Sequence, residues 1–181
     1  MNVLFSYPIT RELLSFSGMH MPWIIRDARD EALEKETERI VAELCVDIIE
    51  RYGYRLADIM VGELVPIVTP AGWDYPEIDI LVRGDAKTPT LVIEAVPADH
   101  YATDQNRILA KLFAIAPAIR HSIPSSPLYL VLYTRGHISA SAGMQEMALV
   151  IDYDKTPGFE AWIHAGSPAF YEIPVVSHYS E

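Results

Sequence analysis

Apolar residues recur at helical spacing across residues 29–52: Val41, Leu44, Cys45, Ile48 and Tyr52 fall on one side, with Glu38, Arg39, Glu43 and Glu50 largely on the other. The pattern predicts a long amphipathic helix, with Gly53 just past its end, where a left-handed cap is expected. The period then shortens. Three extended segments are predicted near 62–68, 77–83 and 90–96. Thr69-Pro70-Ala71-Gly72-Trp73-Asp74 separates the first two and Gly84-Asp85-Ala86-Lys87-Thr88-Pro89 the last two, both of turn composition. A second helix is predicted over 103–116, with Thr103 as its N-cap and Pro117 as its stop. The run Leu128-Tyr129-Leu130-Val131-Leu132-Tyr133 has the length and β-propensity of a buried strand. Residues 147–152 form a weaker strand pattern, and Thr156-Pro157 opens a short helix through Trp162. The order is helix, three strands, helix, strand, with appendages at both ends and no repeat, low-complexity tract or interdomain linker.

At 181 residues the chain predicts a single domain with a sizeable core. Half of it is hydrophobic and 22% is charged, which suits a folded protein rather than a disordered one. Its longest apolar stretches are strand-sized, so no membrane span is predicted. The start, Met1-Asn2-Val3-Leu4-Phe5, lacks the basic beginning of a signal peptide, and a cytoplasmic location is expected. The lone Cys45 excludes an intramolecular disulfide and, on an apolar helix face, reads as an inert core thiol. The net charge of −11, from 25 acidic and 14 basic residues, weighs against tight autonomous binding to nucleic acid phosphates. Much of that acid falls in residues 27–38, on one predicted helix face, which leaves room for a local basic groove elsewhere.

Two of the strand segments carry acids where apolar residues would pack better: Glu77-Ile78-Asp79-Ile80-Leu81-Val82 and Leu91-Val92-Ile93-Glu94-Ala95-Val96. Burying a charge is costly unless something pairs with it. Alternation puts Glu77, Asp79, Leu81 and Arg83 on one face, and Val92, Glu94 and Val96 on one face of the next strand. On neighbouring strands, Asp79 and Glu94 would meet on one side and could chelate a hard divalent cation through oxygen. Gln105 aligns with Leu109, Leu112 and Ala116 on the core-facing side of the second helix, from which it could reach over the sheet toward the acids. Glu63 is a candidate third carboxylate. The plainer alternatives are a structural ion pair or polar contact for Asp79 and Glu94, for instance with Arg83, an exposed strand-end acid at Glu63, and a helix-start brace at Gln105.

Taken in order, Gly53-Tyr54, Gly62-Glu63, Ile78-Asp79-Ile80-Leu81-Val82, Leu91-Val92-Ile93-Glu94-Ala95-Val96, Gln105 and Leu130-Val131-Leu132-Tyr133-Thr134-Arg135-Gly136 resemble the PD-(D/E)XK nuclease superfamily. More narrowly, they resemble the N-terminal nuclease domain of type I restriction enzyme R subunits, over residues 30–136. The resemblance implies an α/β restriction-endonuclease-like core, a mixed central sheet flanked by helices in the order αβββαβ, with residues 137–181 as a C-terminal extension. It implies that Asp79 and Glu94 bind Mg²⁺ or Mn²⁺, that Glu63 matches the upstream glutamate and Gln105 the glutamine of the helix after the motif.

The chain departs from the family at Val96, which stands where the motif has lysine. That ammonium normally orients or activates the attacking water and offsets charge as phosphate is attacked. Loss of one such preorganised group can cost roughly 3 kcal/mol of barrier or more. Among substitutes, Lys111 falls on the flank of the second helix, Arg83 at a strand end, Lys87 in a loop, and Lys35 and Arg39 on the first helix. His100, just beyond the third strand, is the leading proton-handling alternative. Neither a zinc-ligand spacing around the remaining histidines nor a nucleophile elbow at Ser139-Ala140-Ser141-Ala142-Gly143 is found. Three functions stay open: a nuclease-fold module that binds DNA or a protein without cleaving, an active Mg²⁺-dependent DNA endonuclease with a relocated cationic residue, and a self-associating accessory protein that uses exposed aromatics such as Phe170-Tyr171.

Overall fold

The computed structural model describes residues 28–136 and 145–176. The run from Ser139 to Gly143 and His20, His137 and His178 lie outside the described residues. Helix α1 (Ala28–Glu50) leads through a short 3₁₀ turn into β1 (Ile59–Leu64), a small hairpin of β2 (Ile67–Thr69) and β3 (Gly72–Asp74), then β4 (Glu77–Val82) and β5 (Thr90–Pro97). Helix α2 (Tyr101–Ser122) crosses over to β6 (Leu128–Gly136), followed by β7 (Gln145–Asp152) and the short α3 (Phe159–His164). The architecture is mixed α/β, with a five-stranded sheet in the order β1-β4-β5-β6-β7. Only β5 and β6 run parallel, as a strand–helix–strand crossover requires, while the other neighbours are antiparallel.

Alternation divides the core into two layers. Ile80, Val82, Leu91, Ile93, Ala95, Val131 and Tyr133 pack under Ile40, Leu44, Cys45 and Ile48 of α1. Leu81, Val92, Val96, Leu130 and Leu132 pack on the other side against Leu109, Leu112, Phe113 and Ala116 of α2. Cys45 is buried, and desolvation pushes its thiol up to about 12, so it is an unreactive core group. Gly53 has a φ of +77°, as a left-handed helix cap requires.

Three elements differ from the sequence expectation. The segment predicted as one strand over 62–68 is two: β1 pairs with β4, whereas β2 turns away to pair with β3. The residues expected to be only a turn thus contribute β3, with Val68 paired across to Trp73 on an exposed surface. The second helix begins at Tyr101, two residues before Thr103, whose hydroxyl donates to the His100 carbonyl from within the first turn. It also runs past Pro117 to Ser122. Pro117 faces solvent, and the helix forgoes the one hydrogen bond that proline cannot donate. Burial of Ile119 and anchoring of Arg120 to the Ser126 carbonyl and the Asp154 carboxylate hold the last turn in place. The short terminal helix starts at Phe159 rather than at Pro157.

This account of α2 is testable by urea unfolding. Pro117→Ala restores one helical hydrogen bond at an exposed position and is expected to raise stability by about 1–3 kcal/mol. A net loss of stability would show that the turn after Pro117 is not helical in solution.

Candidate functional site

Strand β5 is central and buried along its whole length, and Glu94 is its one charged residue. Its neighbours Val92 and Val96 belong to the α2-side core, while Ile93 and Ala95 belong to the α1 side. Parity therefore places Glu94 under α2. Its residue exposure is 6%, a burial that a carboxylate tolerates only with compensation.

The compensation comes from the helix above. Lys111 Nζ lies 2.7 Å from both Glu94 carboxylate oxygens, but only the contact with Oε2 has hydrogen-bond geometry. Oε1 is buried and has no hydrogen-bond partner. Lys111 itself is half-buried, and the helix residues one turn to either side of it, Ile108 and Ile115, are buried.

Asp79 joins this pair at a point where β4 is paired on neither edge. β4 follows β5 through Ile80↔Ile93, and one further step in that register sets Asp79 opposite Glu94. On its other edge, β4 pairs with β1 at Val61↔Ile80 and Glu63↔Ile78 but not at the position between. Ile78 and Leu81, three residues apart, both reach the α2-side core, so strict alternation breaks around Asp79. Its Oδ2 accepts the Ala95 N–H at 2.7 Å, a donor that a continued ladder would have given to backbone.

Burial pushes the Glu94 carboxyl up to about 7, the Asp79 charge adds to this, and Lys111 together with the Asp79 backbone N–H opposes it. Burial also raises Asp79; the Ala95 N–H and Lys111 act against that, and the charge of Glu77 acts with it. Two acids and one ammonium thus share a desolvated site beneath α2. Its chemistry is that of hard oxygen ligands with one fixed positive charge beside them.

The other candidates are placed differently. Glu63 is half-buried in a groove of about 260 Å³ with Leu81, Arg83 and the end of α2, among Val65, Pro66 and Ile119. Gln105 is half-buried, the fifth residue of α2, and its side chain makes no hydrogen bond among the described residues. Among the described residues, no three His, Cys, Asp or Glu side chains are gathered closely enough to hold a metal ion. Val96 is 4% exposed within the α2-side core.

Of the alternative cations, Arg83 is exposed, Lys87 sits in the β4–β5 loop, and Arg39 pairs with Glu43 on the helix covering the opposite face. Lys35 lies on that same helix. His100 caps α2, with Nε2 3.9 Å from Asp99. Lys111, which the sequence pattern puts on the flank of the helix, is the one that meets Glu94. The available signal was its place in the row Ile108–Lys111–Ile115, at the edge of an apolar stripe wider than the Gln105–Leu109–Leu112 row suggested.

No protein-family model matches the chain, and no curated protein matches it in sequence.

The raised Glu94 gives a signed pH dependence for the metal-free protein. The folded state holds a proton that the unfolded chain releases near 4.5, so this contribution is full below that value and is lost as pH rises through about 7. The difference corresponds to about 3 kcal/mol at most. Unfolding curves of Glu94→Gln are expected to fall less between pH 4.5 and 7 than those of the parent. Parallel curves would contradict the raised carboxyl.

Proposed function

We propose that the chain is a divalent-metal-dependent DNA phosphodiesterase in which Asp79 and Glu94 hold Mg²⁺ or Mn²⁺ and Lys111 replaces the lysine missing at residue 96. The observation that carries this reading is the 2.7 Å approach of Lys111 Nζ to Glu94, from the helix facing the side of the sheet to which Val96 contributes an apolar side chain. The metal assignment draws support from the donor set. Glu94 Oε1 is a buried carboxylate oxygen whose one cationic neighbour, Lys111 Nζ at 2.7 Å, does not meet it in hydrogen-bond geometry, and Asp79 gives Oδ2 to Ala95. Oxygen donors of this kind suit hard cations.

Each residue then has a defined task. When bound, the cation would supply Lewis-acid stabilisation of charge on the phosphate. Asp79 is held by the Ala95 N–H, so its free oxygen is oriented before any ligand arrives. The Lys111 ammonium is not an exposed charge swinging through water, because the residue is half-buried and its head is fixed by Glu94. A preorganised cation in a desolvated site stabilises developing negative charge on phosphate oxygens, and removing one such donor costs about 10²–10³ in rate. Nothing in this division of labour requires a residue at 96 other than a small apolar one.

A non-cleaving module that binds DNA or a protein is the second reading, and the net charge of −11 is the observation that favours it. Plasmid nicking with Mn²⁺ separates the two. The parent is expected to nick, and Lys111→Met to nick about 100-fold more slowly or less while still binding Mn²⁺. Moving the ammonium back to the strand, in Lys111→Met combined with Val96→Lys, is expected to recover part of the lost rate. Undiminished cleavage by Lys111→Met would remove Lys111 from the reaction, and a parent that never nicks would leave the binding module as the surviving reading.

A further inference from the structure

Four polar or charged residues, tyrosines aside, are buried among the described residues: Thr90, Glu94, Ser126 and Thr134. Thr90 and Ser126 bond each other at 2.9 Å, and Glu94 meets Lys111. Thr134 is the exception. It is 4% exposed, and its Oγ1 is enclosed without a hydrogen-bond partner. A hydroxyl kept from water in this way lowers stability unless something bonds it.

Strand register fixes where that hydroxyl stands. Thr134 pairs with Val96 of β5, two residues beyond the pairing of Leu132 with Glu94. Val96, Leu130 and Leu132 all belong to the α2-side core, so alternation turns Thr134 to that side as well, the side of Glu94 and Lys111. Diagonal neighbours on adjacent strands stand about 7–8 Å apart between backbones. The short threonine arm makes no direct bond to Glu94 over that span, and a single water bridges such a gap. A buried water needs roughly 2–4 polar partners. The site offers Thr134 Oγ1, which both donates and accepts, and the Lys111 ammonium, which gives one of its donors to Glu94 Oε2. It also offers Glu94 Oε1, which Lys111 approaches without hydrogen-bond geometry.

We infer that Thr134 Oγ1 and the Glu94–Lys111 pair hold one water between them, and that this water is the nucleophile of the phosphodiester hydrolysis. The second half of the inference rests on the phosphodiesterase reading above. The water's oxygen forms the new bond to phosphorus as the ester P–O bond breaks. The bonding pair leaves on the ester oxygen, and one proton of the water reaches that oxygen by way of solvent. Thr134 fixes where the attacking oxygen stands, a matter of geometry to which such reactions are sensitive. A carboxylate oxygen has more than one lone-pair site, so Glu94 Oε1 can take the cation and the water together.

The test compares Thr134→Val, which keeps the shape and removes the hydroxyl, with Thr134→Ser, which keeps the hydroxyl. A high-resolution crystal structure of the metal-free full chain is expected to show an ordered water on Thr134 Oγ1, shared with Lys111 or Glu94. Thr134 bonded instead to the Gln105 side chain, or to nothing, would overturn the inference. Thermal unfolding without metal is expected to show Thr134→Val melting no lower than the parent, because an enclosed hydroxyl without a protein partner is replaced by a methyl group. A clear drop in melting temperature would mean that the protein itself satisfies the hydroxyl, and would also overturn it. Plasmid nicking with Mn²⁺ is expected to be about 10-fold slower or more in Thr134→Val, and to be largely restored in Thr134→Ser. Calorimetric titration of Mn²⁺ alone is expected to give parent-like affinity in both variants. Parent-like nicking in Thr134→Val would overturn the inference and leave the phosphodiesterase reading standing. A loss of Mn²⁺ affinity in that variant would move the role of Thr134 from the water to the metal, against the inference. A parent that never nicks would remove both the inference and the reading beneath it.

Discussion

The contact on which the site depends is the ion pair between Glu94 and Lys111. Glu94 stands on the most enclosed strand of the sheet, flanked on its own face by Val92 and Val96. A carboxylate there without a partner would carry a desolvation cost of several kcal/mol. α2 supplies that partner 17 residues further along the chain, from the edge of its buried stripe. A buried pair of this kind is weak evidence of stabilisation, since apolar residues of similar volume often do as well.

Around this contact the rest of the fold acts as a mount. The parallel pairing of β5 with β6 forces a crossover, and that crossover is α2, so Lys111 is carried back over the strand that bears Glu94. Arg120 fixes the far end of α2 to the Ser126 carbonyl and to Asp154, and Asp154 in turn accepts the Leu128 N–H at the start of β6. On the opposite face the charges have a different use. Arg135 reaches Asp47 at 3.1 Å and Glu43 at 3.5 Å, tying the end of β6 to α1, away from the Glu94 side of the sheet. Each face of the sheet thus carries its own ion pairs.

Much of this was legible before any coordinates. Strand parity alone put Glu94 and Val96 on one face, because β5 alternates without interruption. The helical row Leu109–Leu112–Ala116 was equally plain, and those residues are fully buried. What was hidden has physical causes. Lys111 carries four methylenes, so a residue drawn at the margin of a helical wheel can deliver its charge to the centre of a site. Pro117 reads as a helix stop only where nothing beyond it is anchored; here Ile119 and Arg120 hold the last turn despite the missing hydrogen bond. Alternation also fails around Asp79, where β4 is paired on neither edge, and no period-two reading could anticipate that.

The central claim is that Asp79 and Glu94 receive a divalent cation beside the Lys111 ammonium. The most direct measurement is an anomalous difference map from crystals soaked in Mn²⁺. The account predicts a peak within coordination distance of both carboxylates, with Glu94 Oε1 among its ligands and Lys111 on the same side of the sheet. Full Mn²⁺ exposure with no peak at this pair, and Glu94 still held by Lys111 alone, would contradict it.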